Sequence, residues 1–200
     1  GALPVVAIPT TAGTGTEADP WTVISDEEKQ EKIGYGNQYT YPVLSVIDPK
    51  LMVSIPSHLT AYQGFDAFFH AAEGYIASCS NGISNLYALE AIRLLYKYLP
   101  KAVHDGNDLT ARSKVAWAST LAGMVESTSS CTSEHSLEHA MSAYYPSLPH
   151  GAGLIAISKA YFETFRNDCT KKYMKMAEVM TQSKSNRASD FVEALVRMQK

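Results

Sequence analysis

The sequence predicts an α+β fold that is mainly helical, with a β-containing part followed by an all-helical part. Two observations carry this prediction. Up to residue 54 the chain shows short apolar runs between turn residues, whereas from residue 55 onward apolar residues recur at helical spacing. We therefore predict a domain boundary between residues 1–54 and residues 55–200.

Four short runs in the first part predict strands: PVVAIP, WTVIS, EKIGYG and PVLSVIDP. The first of them lacks polar alternation, which predicts a buried strand. The second part predicts helices over SHLTAYQGFDAFFHAAEGYIAS, ISNLYALEAIRLLYKYLPKAV, DLTARSKVAWASTLAGMVES, SEHSLEHAMSAYY and GAGLIAISKAYFETF, with more helix to the end. Pro56-Ser57 and Asn107-Asp108 are typical of helix starts.

Composition and charge exclude several classes of protein. With 46% hydrophobic and 18% charged residues, the chain is expected to fold around its own core. A net charge of −3 without a Lys/Arg cluster predicts neither a nucleic acid nor a membrane as partner. The cysteines Cys79, Cys131 and Cys169 are odd in number and lack CxxC spacing, which predicts free thiols, no thiolate metal site and a cytoplasmic location.

Three of the six histidines lie in the stretch EHSLEHAMSAYYPSLPHG. His135 and His139 are four residues apart on a predicted helix, so both side chains lie on one face, and a proline turn returns His150 toward them. Asp66 and His70 repeat this spacing in an apolar helix, where an ionised carboxylate is costly unless it is paired or binds a metal. The pattern predicts a metal site, and hydrogen-bonded core residues are the alternative.

A loop rich in small and hydroxyl residues follows the first strand, in IPTTAGTGTEA. Small residues allow a ligand to approach the backbone, and hydroxyl and N–H groups can bind phosphate or ribose. The loop is neither a Walker loop nor GxGxxG, so an ordinary turn is the alternative. The candidate nucleotide-binding residues are Thr10, Thr11, Gly13, Thr14, Gly15 and Thr16.

Together, IPTTAGTGTEA, VIDPKL with SIPSHLTAYQGFDAFFHAAEGY, and HSLEHAMSAYYPSLPHGAG resemble the iron-containing (group III) alcohol dehydrogenases, which share their fold with glycerol dehydrogenase and dehydroquinate synthase. The resemblance covers nearly the first 160 residues in order. It implies that residues 1–54 are the C-terminal part of a nucleotide-binding domain and that residues 55–200 are an incomplete helical metal-binding domain. The chain would then be an internal fragment, since the family's GGGS phosphate loop is not in it.

The resemblance also implies the roles of individual residues. Asp66, His70, His135 and His150 would ligate one divalent metal, Fe²⁺ in first place with Zn²⁺ as the alternative. His139 would be the catalytic residue that relays a proton; the alternative is that it only orients a ligand. The threonine loop would contact NAD or NADP.

The implied activity is hydride transfer between a primary alcohol or aldehyde and NAD(P), with the metal acting as a Lewis acid and a homo-oligomer as the assembly. A lyase of dehydroquinate-synthase type, a glycerol dehydrogenase-like polyol oxidoreductase, a metal-dependent hydrolase and a metal-stabilised interaction module are the alternatives. Phe65, Phe69 and Tyr144 are expected to contribute to the substrate pocket, and His58 and His104 to lie on the surface.

Overall fold

The computed structural model of the protein describes residues 3–200, and within them the predicted α+β, mainly helical fold is confirmed. No helix of this part of the chain is both long and apolar enough to cross a membrane. The elements in chain order are β1 (Val6–Ala7), β2 (Thr22–Asp26), β3 (Glu31–Tyr35), β4 (Leu44–Ser45), a 3-10 helix (Pro49–Met52), α1 (Ser57–Ile76), α2 (Gly82–His104), α3 (Leu109–Thr128), α4 (Ser133–Tyr144), α5 (His150–Phe165), α6 (Thr170–Thr181) and α7 (Ser189–Met198).

The strands form two separate pairs. β1 and β4 are parallel, whereas β2 and β3 form an antiparallel hairpin that contacts α4. The prediction that the first strand is buried is wrong, because Val6 and Ile8 are each 54% exposed. Within the described residues β1 has only β4 as a strand neighbour, so nothing covers these apolar side chains.

Helix α1 lies at the centre of the helical part and packs against α2, α3 and α5. Every residue from 64 to 75 is buried. The apolar side of α1 enters an aromatic cluster in which Phe68 stacks on Phe191 and Phe69 stacks on Phe162, with ring centroids 6.3 and 6.1 Å apart. This packing fixes α1, and therefore also the polar side chains on its other side.

The threonine-rich loop packs onto α3 through its glycines. Gly15 has a positive φ of 62°, and a Cβ placed on Gly123 would lie 2.1 Å from the Gly15 carbonyl oxygen. Polar contacts reinforce this packing, since the Thr120 hydroxyl donates to Glu17 Oε1 at 2.6 Å. The loop therefore has one fixed position relative to α1 and α3.

We predict that Gly123→Ala displaces the loop and lowers the free energy of unfolding by about 1–3 kcal/mol, because the added methyl group meets backbone atoms that have no space to move into. Urea denaturation measures the change. Gly82→Ala is the matched control, since a Cβ there meets nothing within 4 Å. Equal stability of the two variants would contradict this account of the loop packing.

Candidate metal and cofactor site

One face of α1 carries the polar residues Asp66, His70 and Glu73, spaced so that all three side chains point the same way. Asp66 and His70 line a cleft of about 660 Å³, whose other walls come from the threonine loop, the β2–β3 hairpin, α3, α4 and the start of α5. The three residues are buried. The predicted metal ligands therefore face a cleft that is open to a small molecule.

Glu73 joins α1 to the first turn of α4. Its carboxylate accepts hydrogen bonds from the backbone N–H groups of Thr132, Glu134 and His135 at 2.7, 3.1 and 3.2 Å, and from the Thr132 hydroxyl at 2.5 Å. A carboxylate satisfies free N–H groups at a helix N-terminus and interacts favourably with the helix dipole. Burial alone would raise the pKa of Glu73, but His135 and Thr132 hold it below its ordinary value. Glu73 therefore serves as the cap of α4 and stays ionised.

Two imidazoles are each held between two carboxylates. His135 Nδ1 contacts Glu73, and His135 Nε2 lies 3.4 Å from Asp66 Oδ1. His150 Nδ1 contacts Glu138, and His150 Nε2 lies 3.3 Å from the same Asp66 oxygen. A carboxylate on Nδ1 fixes the tautomer and ring orientation of a metal-binding histidine, and leaves Nε2 free to bind.

His70 completes the group, with Nε2 3.6 Å from Asp66 Oδ1 and Nδ1 buried without a partner. Ligand atoms about 2.1 Å from a tetrahedral cation lie about 3.4 Å from one another. The three separations from Asp66 Oδ1, at 3.3 to 3.6 Å, match this spacing. Asp66, His135 and His150 offer ligand atoms within 4.8 Å of one another, and His70 forms a second such group with His135 and Cys131. One carboxylate and three imidazoles are also a donor set suited to Fe²⁺ or Zn²⁺. The side chains therefore fit the group that the sequence implies.

The protonation of these residues also fits a cation site. Burial would raise the pKa of Asp66, but His70, His135 and His150 hold it well below the ordinary value. Burial would lower the pKa of His135, but the carboxylates of Glu73 and Asp66 hold it well above the ordinary value. Protons on His135 and His150, whose pKa values are both raised, thus balance the carboxylates, and a divalent cation bound there would replace them.

Two further side chains, Glu126 and Cys131, reach the same cleft and were missed in the sequence analysis. Glu126 Oε1 lies 3.6 Å from His70 Nε2 and accepts a hydrogen bond from the Cys131 thiol at 3.3 Å. Cys131, His70 and His135 offer ligand atoms within 4.8 Å of one another. Burial raises the pKa of the Cys131 thiol, however, which favours the neutral form and makes it a poor ligand.

His139 lines the cleft one turn beyond His135, with its ring centroid 5.4 Å from that of His150 and 6.5 Å from that of His135. Burial and the nearby Lys32, His150 and His135 lower the pKa of His139 to about 4. Its imidazole is therefore neutral at neutral pH.

The threonine loop runs along the edge of the cleft. Thr14 and Thr16 line the cleft, whereas Thr10, Thr11, Gly13 and Gly15 do not. Gly13 lies over α1, where an added Cβ would be 2.8 Å from the Gln63 carbonyl oxygen and 3.1 Å from Asp66 Oδ2. The close approach brings the loop next to the predicted metal ligands.

The prediction that Phe65, Phe69 and Tyr144 contribute to the substrate pocket is wrong. Phe65 and Phe69 are buried in the core and Tyr144 is 62% exposed, and none of the three lines the cleft. Successive residues of a helix lie about 100° apart, so Phe65 and Phe69 face away from the neighbouring Asp66 and His70. His58 and His104 are exposed, as predicted.

Comparison with known proteins identifies the family. Residues 60–200 match the model of the Fe-containing alcohol dehydrogenase family, C-terminal, and residues 1–49 match the model of iron-containing alcohol dehydrogenase. Alcohol dehydrogenase 4 of Schizosaccharomyces pombe is 34% identical over 88% of this chain and 42% of its own length. The NAD-dependent methanol dehydrogenase of Bacillus methanolicus is 38% identical over 74% of this chain and 39% of its own length.

Comparison with solved structures leads to the same family. An archaeal alcohol dehydrogenase from a Red Sea brine pool aligns with a TM-score of 0.94 at 34% identity, over 98% of this chain and 51% of its own. Sulfoacetaldehyde reductase from Bifidobacterium kashiwanohense, in complex with NAD⁺, aligns with a TM-score of 0.89 at 26% identity, over 100% of this chain and 52% of its own. The chain thus spans about half the length of the structures it matches, and it belongs to the iron-containing alcohol dehydrogenase family.

Proposed function

We propose that the protein containing this chain is a metal-dependent alcohol dehydrogenase that interconverts a small primary alcohol and its aldehyde with NAD or NADP. The observation that carries the proposal is the convergence of three imidazole Nε2 atoms on Asp66 Oδ1, at 3.3 to 3.6 Å, in an open cleft. In this proposal Asp66, His70, His135 and His150 hold one divalent cation, Fe²⁺ in first place and Zn²⁺ as the alternative.

Each residue contributes a distinct part of the chemistry. A bound cation supplies Lewis acidity, which polarises the oxygen of an alcohol or aldehyde. Asp66 contributes the negative charge that favours a cation over a neutral ligand, and the neutral imidazoles occupy the other positions.

The nicotinamide cofactor is proposed to lie along the threonine loop. The exposed residues Thr14 and Thr16 border the cleft, next to the helix that carries Asp66. Two relatives support this choice, since one is an NAD-dependent methanol dehydrogenase and the other was solved in complex with NAD⁺. The proposed cofactor is NAD or NADP. A homo-oligomeric assembly, a cytoplasmic location and the domain boundary after residue 54 stay predictions.

His139 is proposed as the group that takes the proton released when an alcohol is oxidised. Its neutral imidazole lies in the cleft, one turn from His135 and outside the set around Asp66. A base in this position can carry the proton away from the reacting oxygen toward solvent.

We predict that Asp66→Asn and His135→Ala in the full-length protein each reduce bound metal from about one per chain to near zero, and abolish NAD(P)H oxidation with short aldehydes, because each removes one of four ligands. Metal analysis by mass spectrometry and a coupled absorbance assay measure the two effects.

His104→Ala is the control for these variants, since His104 is exposed and does not line the cleft. Full retention of metal and activity in both ligand variants would contradict the proposed site. Metal-dependent turnover without any net oxidation of NADH or NADPH would instead favour a lyase.

We predict that His139→Gln lowers kcat for alcohol oxidation by about 10²-fold or more, since general base catalysis contributes about 10²–10⁴-fold, while bound metal stays at the wild-type level. Steady-state kinetics and metal analysis on the same preparation check both parts. His58→Gln, an exposed imidazole on the same chain, controls for the loss of a histidine. Loss of metal together with activity would contradict a proton-transfer role and indicate that His139 orients a ligand.

A further inference from the structure

Glu138 is a buried acidic residue on α4 that the proposed chemistry leaves unused. Its side chain is fully inaccessible to solvent, yet it lies between α4, α5 and the hairpin. Its Oε2 contacts His150 Nδ1 and lies 3.3 Å from Lys32 Nζ, while its Oε1 accepts from the Ser142 hydroxyl. The carboxylate is thus saturated with donors from three elements of the structure.

We propose that Glu138 is a positioning residue that orients His150 for metal binding, and that Lys32 of β3 holds Glu138, so that the β2–β3 hairpin forms part of the metal site. The inference rests on the proposed function, because His150 must be a ligand. The contacts that carry it run from Lys32 to Glu138 and from Glu138 to His150 Nδ1. On its other side, His150 Nε2 faces Asp66.

The geometry around His150 supports the proposal that Glu138 orients this imidazole. Lys32 Nζ is 3.3 Å from His150 Nδ1 as well as from Glu138 Oε2. His150 Nδ1 contacts Glu138 Oε2, which accepts, so Nδ1 carries the proton. An ammonium group has no acceptor, so the two nitrogens do not bond to each other. Both therefore donate to the Glu138 carboxylate. This arrangement fixes the tautomer of His150 and turns Nε2 toward Asp66.

Glycine at position 153 leaves the space that this carboxylate occupies. A Cβ on Gly153 of α5 would lie 2.9 Å from both Cγ and Oε1 of Glu138. The packing of α5 on α4 is thus shaped around Glu138, three residues beyond His150 on the same helix. An ion pair that served only to tie down the hairpin would not need a carboxylate buried this deeply under the ligand.

The same arrangement occurs a second time in the site, which supports a role in positioning. Glu73 contacts His135 Nδ1 while His135 Nε2 faces Asp66, as Glu138 does for His150. His70 has no such partner, since its Nδ1 is buried and unpaired. The difference between the two carboxylates is their support: backbone N–H groups of α4 hold Glu73, whereas a side chain of the hairpin holds Glu138.

The experiment measures the affinity of the full-length protein for Co²⁺, by competition with a chromophoric chelator, together with the visible absorption spectrum of the bound ion. The variants are Glu138→Gln, Lys32→Met, Gly153→Ala and Asp66→Asn. Lys29→Met is the matched control, because Lys29 belongs to the same hairpin but pairs with Asp26 at the surface, where its side chain is 69% exposed.

We expect Glu138→Gln to weaken Co²⁺ binding by about 10–100-fold and to change the absorption spectrum, since loss of the partner of a ligand histidine has effects of this size. Lys32→Met and Gly153→Ala should weaken binding in the same direction by a smaller factor. Lys29→Met should match the wild type. Circular dichroism verifies that each variant is folded before its affinity is compared.

Wild-type affinity and spectrum in Glu138→Gln, with metal binding lost in Asp66→Asn, would overturn the inference and leave the proposed function standing. Wild-type affinity in Lys32→Met alone would overturn the part played by the hairpin. If Asp66→Asn also binds Co²⁺ like the wild type, the proposed metal site itself is wrong. Should Glu138→Gln fail to fold, Gly153→Ala and Lys32→Met decide the question.

Discussion

The carboxylate of Glu73 determines how the two halves of the site meet. It extends from α1, accepts hydrogen bonds from the first N–H groups of α4, and contacts His135 on its other oxygen. A buried carboxylate that loses its partners costs about 3–5 kcal/mol, so the two helices are bound in one relative position. Because α4 also carries Glu138 and His139, its position determines most of the cleft chemistry.

The site combines buried helices with a loop and a hairpin that lie around them. Asp66 and His70 lie on the most buried helix of the structure, whose other face is locked by stacked aromatic rings. The threonine loop reaches this helix through glycines, which permit backbone contact that larger residues would prevent. The hairpin reaches the site through Lys32, which pairs with Glu138 of α4. The proposed ligands on helices, with the threonine loop and the hairpin around them, are the arrangement expected of a preorganised site.

The sequence alone could predict two pairs of residues that lie in the cleft, because helical spacing determines which side chains share a face. Asp66 with His70, and His135 with His139, are such pairs. Spacing does not determine how one helix faces another, which is why the partners Glu73, Glu138 and Lys32 were missed. The same limit explains the error for Phe65 and Phe69, whose apolar character fits a pocket as well as a core. The exposed β1 was mispredicted because an apolar run indicates burial only when neighbouring strands are present.

The central claim, that one carboxylate and three imidazoles surround a single cation, is tested most directly by X-ray absorption spectroscopy of the full-length protein loaded with Fe²⁺ or Zn²⁺. The account predicts only nitrogen and oxygen neighbours at about 2.0–2.2 Å, with outer-shell scattering from three imidazole rings. A sulfur neighbour at about 2.3 Å would assign Cys131 as a ligand and contradict the account, as would the absence of imidazole scattering.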